Sequence, residues 1–282
     1  MDSGLQDKVV LITGASGGIG RAVADRFHAE GARLVLHGSG RFDELQELAR
    51  GGRWGSAVLC ARADVSEAAS VDGLFERAVD AFGRVDVCVA NAGIWPRGDV
   101  ALGAMDPERL TRTVATNLLG AAWTARAFAA TLERAGARPD GHGASIVFTG
   151  STAGRFGEKG HADYAMAKAG LTGLVKTLKN ELVEIDPYAR ANVVDPGWTV
   201  TEMVRAELAD DAVVQRVTST MALKQLARAK DVANAIAFLS SPLLARHVTG
   251  ETLCVAGGME GRLLTRPEDV SADDVRARLG GD

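Results

Sequence analysis

Short runs of consecutive apolar residues, rich in Val, Ile and Leu, alternate along this chain with longer stretches whose apolar residues recur at helical spacing. The runs Val9–Thr13, Arg33–His37, Val58–Arg62, Val85–Ala90, Ser145–Thr149, Arg190–Val194 and Thr252–Val255 are expected as strands. Their near-continuous hydrophobicity suits strands covered on both faces, as in a parallel sheet. Helical patterns fall at about Gly18–Glu30, Glu44–Arg50, Glu67–Phe82, Pro107–Arg134 and Ala162–Ile185. This alternation predicts an α/β fold, a doubly wound parallel sheet with right-handed crossovers and helices on both faces. Gly136–Gly143 reads as a polar loop, too short to divide the chain. One domain is expected over residues 1–260, followed by a polar tail over 261–282.

Composition narrows the classes of function. At 282 residues and 46% hydrophobic, the chain can bury a large core without disulfides or structural metals. The net charge of −4, with basic residues scattered among acids, gives no reason to expect nucleic acid as a partner. Cys60, Cys88 and Cys254 form no CxxC pair and lie in strand-like runs, so reduced thiols are expected. The five histidines show no metal-ligand spacing, and no metal is expected. The start of the chain lacks a secretory apolar region, and no apolar run approaches the roughly 20 residues that span a bilayer. A cytoplasmic protein with no membrane partner is the expectation.

Candidate chemistry begins after the first strand, at Thr13-Gly14-Ala15-Ser16-Gly17-Gly18-Ile19-Gly20. Glycines there allow a tight turn and let backbone N–H groups approach a pyrophosphate, aided by the positive end of the helix that follows. Further on, Tyr164-Ala165-Met166-Ala167-Lys168 sets a phenol and an ammonium on one helical face. A nearby cation favours phenolate, so the pair is expected to draw the phenol pKa down from about 10 toward neutrality, as a general acid/base requires. Ser151 ends the fifth strand, where open α/β sheets place ligands. Asn117 sits inside a predicted helix, where asparagine has poor propensity and needs a reason.

TGASGGIG resembles the TGxxxGxG signature of the short-chain dehydrogenase/reductase family, and later stretches match that family in order over roughly residues 5–260. Asp64-Val65 resembles its adenine-contacting pair, Ala90-Asn91-Ala92-Gly93 its NNAG, and Pro196-Gly197-Trp198-Thr199-Val200-Thr201 its PGxxxT. The resemblance implies a Rossmann-like oxidoreductase moving hydride between a nicotinamide cofactor and a ketone or secondary alcohol. It implies Tyr164 as proton carrier, Ser151 as partner of the substrate oxygen, Lys168 as holder of the nicotinamide ribose, and Asn117 as support for a water relay. Its implied cofactor contacts begin with Gly14, Ser16, Gly18, Ile19, Gly20, Ser39, Asp64 and Val65. They continue with Asn91, Ala92, Gly93, Pro196, Gly197, Thr199 and Thr201, together with Tyr164 and Lys168. Two departures from the family pattern are Ala90, in place of the first asparagine of NNAG, and Ala256, where aspartate is frequent. The first puts a local hydrogen bond between strands in doubt.

An acid at the end of the second strand would favour NAD; Gly38 and Ser39 stand there instead, with Arg41 close by, so NADP is expected over NAD. Asp43 is expected to cap the next helix, and the direction of Arg21 is left open. Specificity is expected from Ile94–Asp99, Thr152–His161 and a family-like lid at about 198–222, which offer Trp95, Phe156, Trp198, Met203 and Val204. Arg97, Arg155 and Lys159 are read as surface charge, and His161 as structural. A small-molecule carbonyl or alcohol is the expected substrate, with a 3-oxoacyl-(acyl-carrier-protein) reductase as the alternative. A cofactor-binding regulator without turnover is the rival of another class; the presence of Ser151, Tyr164, Lys168 and Asn117 speaks against it. The resemblance also implies a homo-oligomer, tetramer or dimer, paired through the long helices around Asn117 and Tyr164.

Overall fold

The computed structural model describes residues 2–202, 207–265 and 267–278. In chain order the elements are β1 (Val9–Ile12), α1 (Gly18–Ala29), β2 (Arg33–Gly38), α2 (Phe42–Arg50), β3 (Val58–Arg62), α3 (Ala68–Phe82) and β4 (Val87–Ala90). There follow α4 (Pro107–Val114), α5 (Gly120–Ala135), β5 (Ser145–Thr149), α6 (Thr152–Phe156), α7 (Ala162–Ile185) and β6 (Arg190–Pro196). The last are β7 (Thr199–Val200), α8 (Asp211–Thr218), β8 (Ala227–Arg228), α9 (Ala229–Ser240), β9 (Thr252–Val255) and α10 (Ala272–Ala277). Seven strands form one parallel sheet in the order β3-β2-β1-β4-β5-β6-β9, as the alternation predicts.

Every residue of β1, β5 and β6 is buried, because helices cover both faces of the sheet. One face packs Phe75 of α3, Phe128 of α5 and Leu178 of α7; the other packs Phe27 of α1, Leu45 of α2 and Ile236 of α9. Each such side chain contributes about 1.5–3 kcal/mol by leaving water. The chain leaves β1 to build β2 and β3 on one side, then crosses to β4 and β5 on the other. That reversal opens a crevice beyond the carboxyl ends of β1 and β4, between loops that must diverge.

Two differences from the sequence reading bear on the core and the site. Helix α9 is not among the predicted elements, although Val232, Ala233, Ile236 and Ala237 make a buried helical stripe against α1. The single helix expected over Pro107–Arg134 is interrupted by a wide π turn at Ala115–Leu119. Asn117 lies in that turn, and its Nδ2 donates to the Thr113 carbonyl one turn back at 2.9 Å. An inserted π turn of this kind rearranges the backbone ladder and is common at functional sites.

Candidate active site

The glycine turn is fixed by its neighbours. Gly14 has φ +68°, and a Cβ there would lie 2.8 Å from the Ala92 Cα. The turn therefore needs both the left-handed freedom and the missing side chain of glycine. Asn91 ties this corner together: its Nδ2 donates to the carbonyls of Thr13 (3.0 Å) and Gly14 (3.2 Å), and its Oδ1 accepts from Thr149 Oγ1 at 3.2 Å. The strand tie put in doubt by Ala90 is thus supplied by Asn91.

His37, unassigned by the sequence reading, is buried behind the same turn. Its Nδ1 accepts the Gly14 N–H at 3.1 Å, so its Nε2 carries the proton and donates to the Ala63 carbonyl at 3.0 Å. Burial holds its pKa below the ordinary 6.5, against the raising effects of the Ala63 hydrogen bond and Asp64. The unfolded chain therefore takes up this proton first as pH falls. The contribution of neutral His37 is present above 6.5 and is lost as pH drops below it toward the folded value. Thermal unfolding between pH 7.5 and 5 should show this loss, and His37→Asn should flatten that part of the profile. An unchanged profile in the variant would remove His37 from this role.

Tyr164 and Lys168 project from the same face of α7, with the Lys168 ammonium 5.7 Å from the Tyr164 ring centroid. Ser151 follows β5, caps α6 by accepting the Ala153 N–H at 3.1 Å, and lines the same cavity as Tyr164. The Ser151 N–H in turn donates to Asp195 Oδ1 at 3.0 Å. Lys168 is buried and donates to the Thr149 carbonyl at 2.7 Å. Asn117 Oδ1 accepts the Ile94 N–H at 3.1 Å, and its Nδ2 donates to the Ile94 carbonyl at 2.9 Å. The four residues that the sequence singled out thus meet at the carboxyl ends of β4, β5 and β6.

The electrostatics differ from the sequence expectation. Burial pushes the Tyr164 phenol up to about 12, opposed by the neighbouring Ser151 and by Arg262. Burial likewise pushes Lys168 down to about 8, opposed by Asp195. The lysine ammonium is aimed at a backbone carbonyl rather than at the phenol oxygen, so loss of water dominates. Asp195 itself is pushed up to about 6 by burial, against its Ser151 hydrogen bond and the charges of Arg155 and Lys168. Sequence reasoning missed Asp195; an acid closing the buried run of β6 was the available signal.

Asn117, Ser151, Tyr164 and Lys168 line one cavity of about 660 Å³ that runs from the glycine turn past Asp64, Val65, Asn91 and Gly93 to Ser151 and Tyr164. Its volume lies within the range of roughly 300–1,000 Å³ common to small-molecule and cofactor sites. A glycine turn at a helix start, a polar middle and a hydroxyl-lined end fit a dinucleotide. Asp64 is held by Ser66, whose N–H and Oγ donate to it at 2.9 and 2.7 Å; those bonds lower its pKa. At the adenosine end, Ser39, Gly40 and Arg41 line the cavity. Asp43, expected as a cap, sits in the first turn of α2 and pairs with Arg62 at 3.1 Å. Arg21 points to the same side as Arg41: Glu202 pairs with Arg41 and lies 4.0 Å from Arg21.

At the opposite end, Trp95 and Trp198 line the cavity, whereas Phe156 packs behind, with Trp198, against Val217 and Met259. Met203 and Val204 lie outside the described residues. Arg97, Arg155 and Lys159 are exposed, as expected. The cations that line the cavity beside Lys168 are Arg41, Arg112 and Arg262, the last from the stretch read as tail. Among the described residues there is no metal-ligand cluster, and no helix is long and apolar enough to cross a membrane.

A family model described as Enoyl-(acyl carrier protein) reductase matches residues 14–260. L-rhamnose 1-dehydrogenase (NAD(P)(+)) of Azotobacter vinelandii is 36% identical over 260 residues, covering 90% of this chain and 97% of that protein. The 3-oxoacyl-(acyl-carrier-protein) reductase of Escherichia coli is 36% identical over 256 residues, covering 90% and 98%. Among solved structures, a short-chain dehydrogenase from Burkholderia cenocepacia in complex with NADP matches with a TM-score of 0.80 at 32% identity, covering 91% of this chain and 99% of that one.

Proposed function

Because this chain belongs to the short-chain dehydrogenase/reductase family and is an NAD(P)-dependent oxidoreductase, we propose that Tyr164, Ser151 and Lys168 carry its proton chemistry on a ketone or secondary alcohol. The observation that supports this most directly is that Ser151, Tyr164 and Lys168 line the same cavity, with Lys168 one helical turn on from Tyr164 and its ammonium 5.7 Å from the tyrosine ring centroid. When bound, the nicotinamide dinucleotide supplies or accepts the hydride. Ser151 holds the substrate oxygen, and Tyr164 gives it a proton in reduction or takes one in oxidation. A phenol raised to about 12 keeps its proton at neutral pH, which suits it to donate. Lys168 would hold the nicotinamide ribose, and Asn117 fixes the Ile94 backbone beside it. The glycine turn would hold the pyrophosphate, with Asp64 and Val65 at the adenine and Asn91–Gly93 and Pro196–Thr201 at the nicotinamide end.

The test is a screen of NADPH and NADH oxidation across chemically diverse carbonyls. Turnover of none, despite dinucleotide binding, would favour the regulator. The relatives named for a sugar and for a 3-oxoacyl thioester are equally identical, so identity does not choose between them. The preferred cofactor in this reading is NADP, since Ser39, Gly40 and Arg41 offer no carboxylate at the cavity and one guanidinium. Glu202 competes for Arg41 and Arg21, as a 2′-phosphate would. Glu202→Gln should therefore tighten NADPH binding several-fold in a fluorescence titration while NADH binding stays constant; equal changes for both would contradict the assignment. A cytoplasmic homo-oligomer is also proposed, with Leu119 and Met166 exposed on the helices expected to pair.

A further inference from the structure

Two opposite charges face the substrate end of the cavity without pairing with one another. Glu158, half-buried in the turn between α6 and α7, lines it, and so does half-buried Arg262. Arg262 is anchored: its Nε donates to the Gly157 carbonyl at 3.0 Å, and its Nη2 lies 3.5 Å from Thr152 Oγ1, next to Ser151. Among the described residues neither side chain forms an ion pair. Both act on Tyr164, the carboxylate raising and the guanidinium lowering its pKa, so both lie near the reacting end. The third wall is Trp95, whose ring stacks on buried His161 with centroids 4.7 Å apart and planes 9° apart. His161 Nε2 and the Pro96 carbonyl, at 2.9 Å, lock that stack to the loop.

We propose that this end of the cavity is a subsite for a neutral, polyhydroxylated carbonyl or alcohol of the carbohydrate class. In it Glu158 accepts from, and Arg262 donates to, hydroxyls flanking the reacting carbon, while Trp95 covers the apolar C–H face. The inference rests on the oxidoreductase reading above. An acyl chain laid here would strip water from both charges and return no hydrogen bonds. An anionic substrate would gain from Arg262 but be opposed by Glu158. A neutral polyol satisfies both at once, because each hydroxyl can donate and accept.

The test uses the full chain with NADP or NADPH. D-glucose, L-rhamnose and ribitol serve as neutral polyols, cyclohexanol as a hydroxyl-poor alcohol, 3-hydroxybutyrate as a carboxylate, and acetoacetyl-coenzyme A as a thioester. At least one polyol is expected to exceed cyclohexanol and 3-hydroxybutyrate in kcat/KM by about tenfold, a gap equal to about 1.4 kcal/mol. Glu158→Gln and, separately, Arg262→Gln are expected to raise the KM for that polyol at least tenfold more than the KM for cyclohexanol. Calorimetric titration of the polyol into the NADP-bound protein should show the same loss, with melting temperatures confirming that both variants fold. Preference for the thioester or the carboxylate, or a polyol KM indifferent to both substitutions, would overturn the subsite while leaving the oxidoreductase reading intact. Turnover of no carbonyl or alcohol at all would overturn both.

Discussion

Replacing Tyr164 by phenylalanine should lower turnover by at least ~10²-fold while dinucleotide affinity stays within about threefold, the low end of what a positioned general acid contributes. The variant keeps the ring beside Lys168 and removes only the hydroxyl from the cavity that Ser151 also lines. Steady-state dinucleotide oxidation and a fluorescence titration separate the two effects. Near-normal turnover would take the proton-carrying role away from this residue. The wild-type pH profile should differ with direction. Carbonyl reduction uses the protonated phenol, which persists at neutral pH, and should weaken above about 8 as Lys168 loses its charge. Alcohol oxidation needs the phenol to release its proton first, so its rate should climb through the neutral range.

Gly20→Ala should weaken dinucleotide binding about 10²-fold, equivalent to about 2.7 kcal/mol. A Cβ at Gly20 would fall 2.2 Å from the Gly14 carbonyl oxygen and 2.8 Å from the Ala15 Cα, both backbone atoms of the turn. No rotamer relieves that overlap, so α1 must move away from the turn, an overpacking cost of about 1–3 kcal/mol. Gly17→Ala is the contrast: its Cβ would meet only the Gly14 oxygen, at 3.4 Å, an ordinary contact. Binding by that variant should remain close to the parent's, and melting temperature should fall only for Gly20→Ala. Similar losses in both would mean that the turn tolerates no side chain anywhere, and would refute the steric argument for Gly20.

Much of this protein was legible without coordinates. Buried strands and amphipathic helices announce themselves locally, so the seven strands of the sheet and the start of α1 follow from apolar runs and glycine spacing. Tyr164 and Lys168 share a face because four residues make about one helical turn. Asn117 drew notice by its poor helix propensity, and the π turn supplies the reason. Helix α9 could have been read from its apolar stripe but lacked a motif to draw attention.

What the chain alone determined, then, is which elements form and which side chains stand at strand ends, since both depend on neighbours a few positions away. Tertiary structure alone decided the charges around those side chains. Arg262 comes 110 positions after Thr152 to reach the neighbourhood of Ser151, Glu202 crosses 161 positions to Arg41, and Lys168 turns to Thr149 instead of the phenol. Solvent exclusion and through-space Coulomb forces depend on packing across the whole sheet, and spacing along a sequence does not record them.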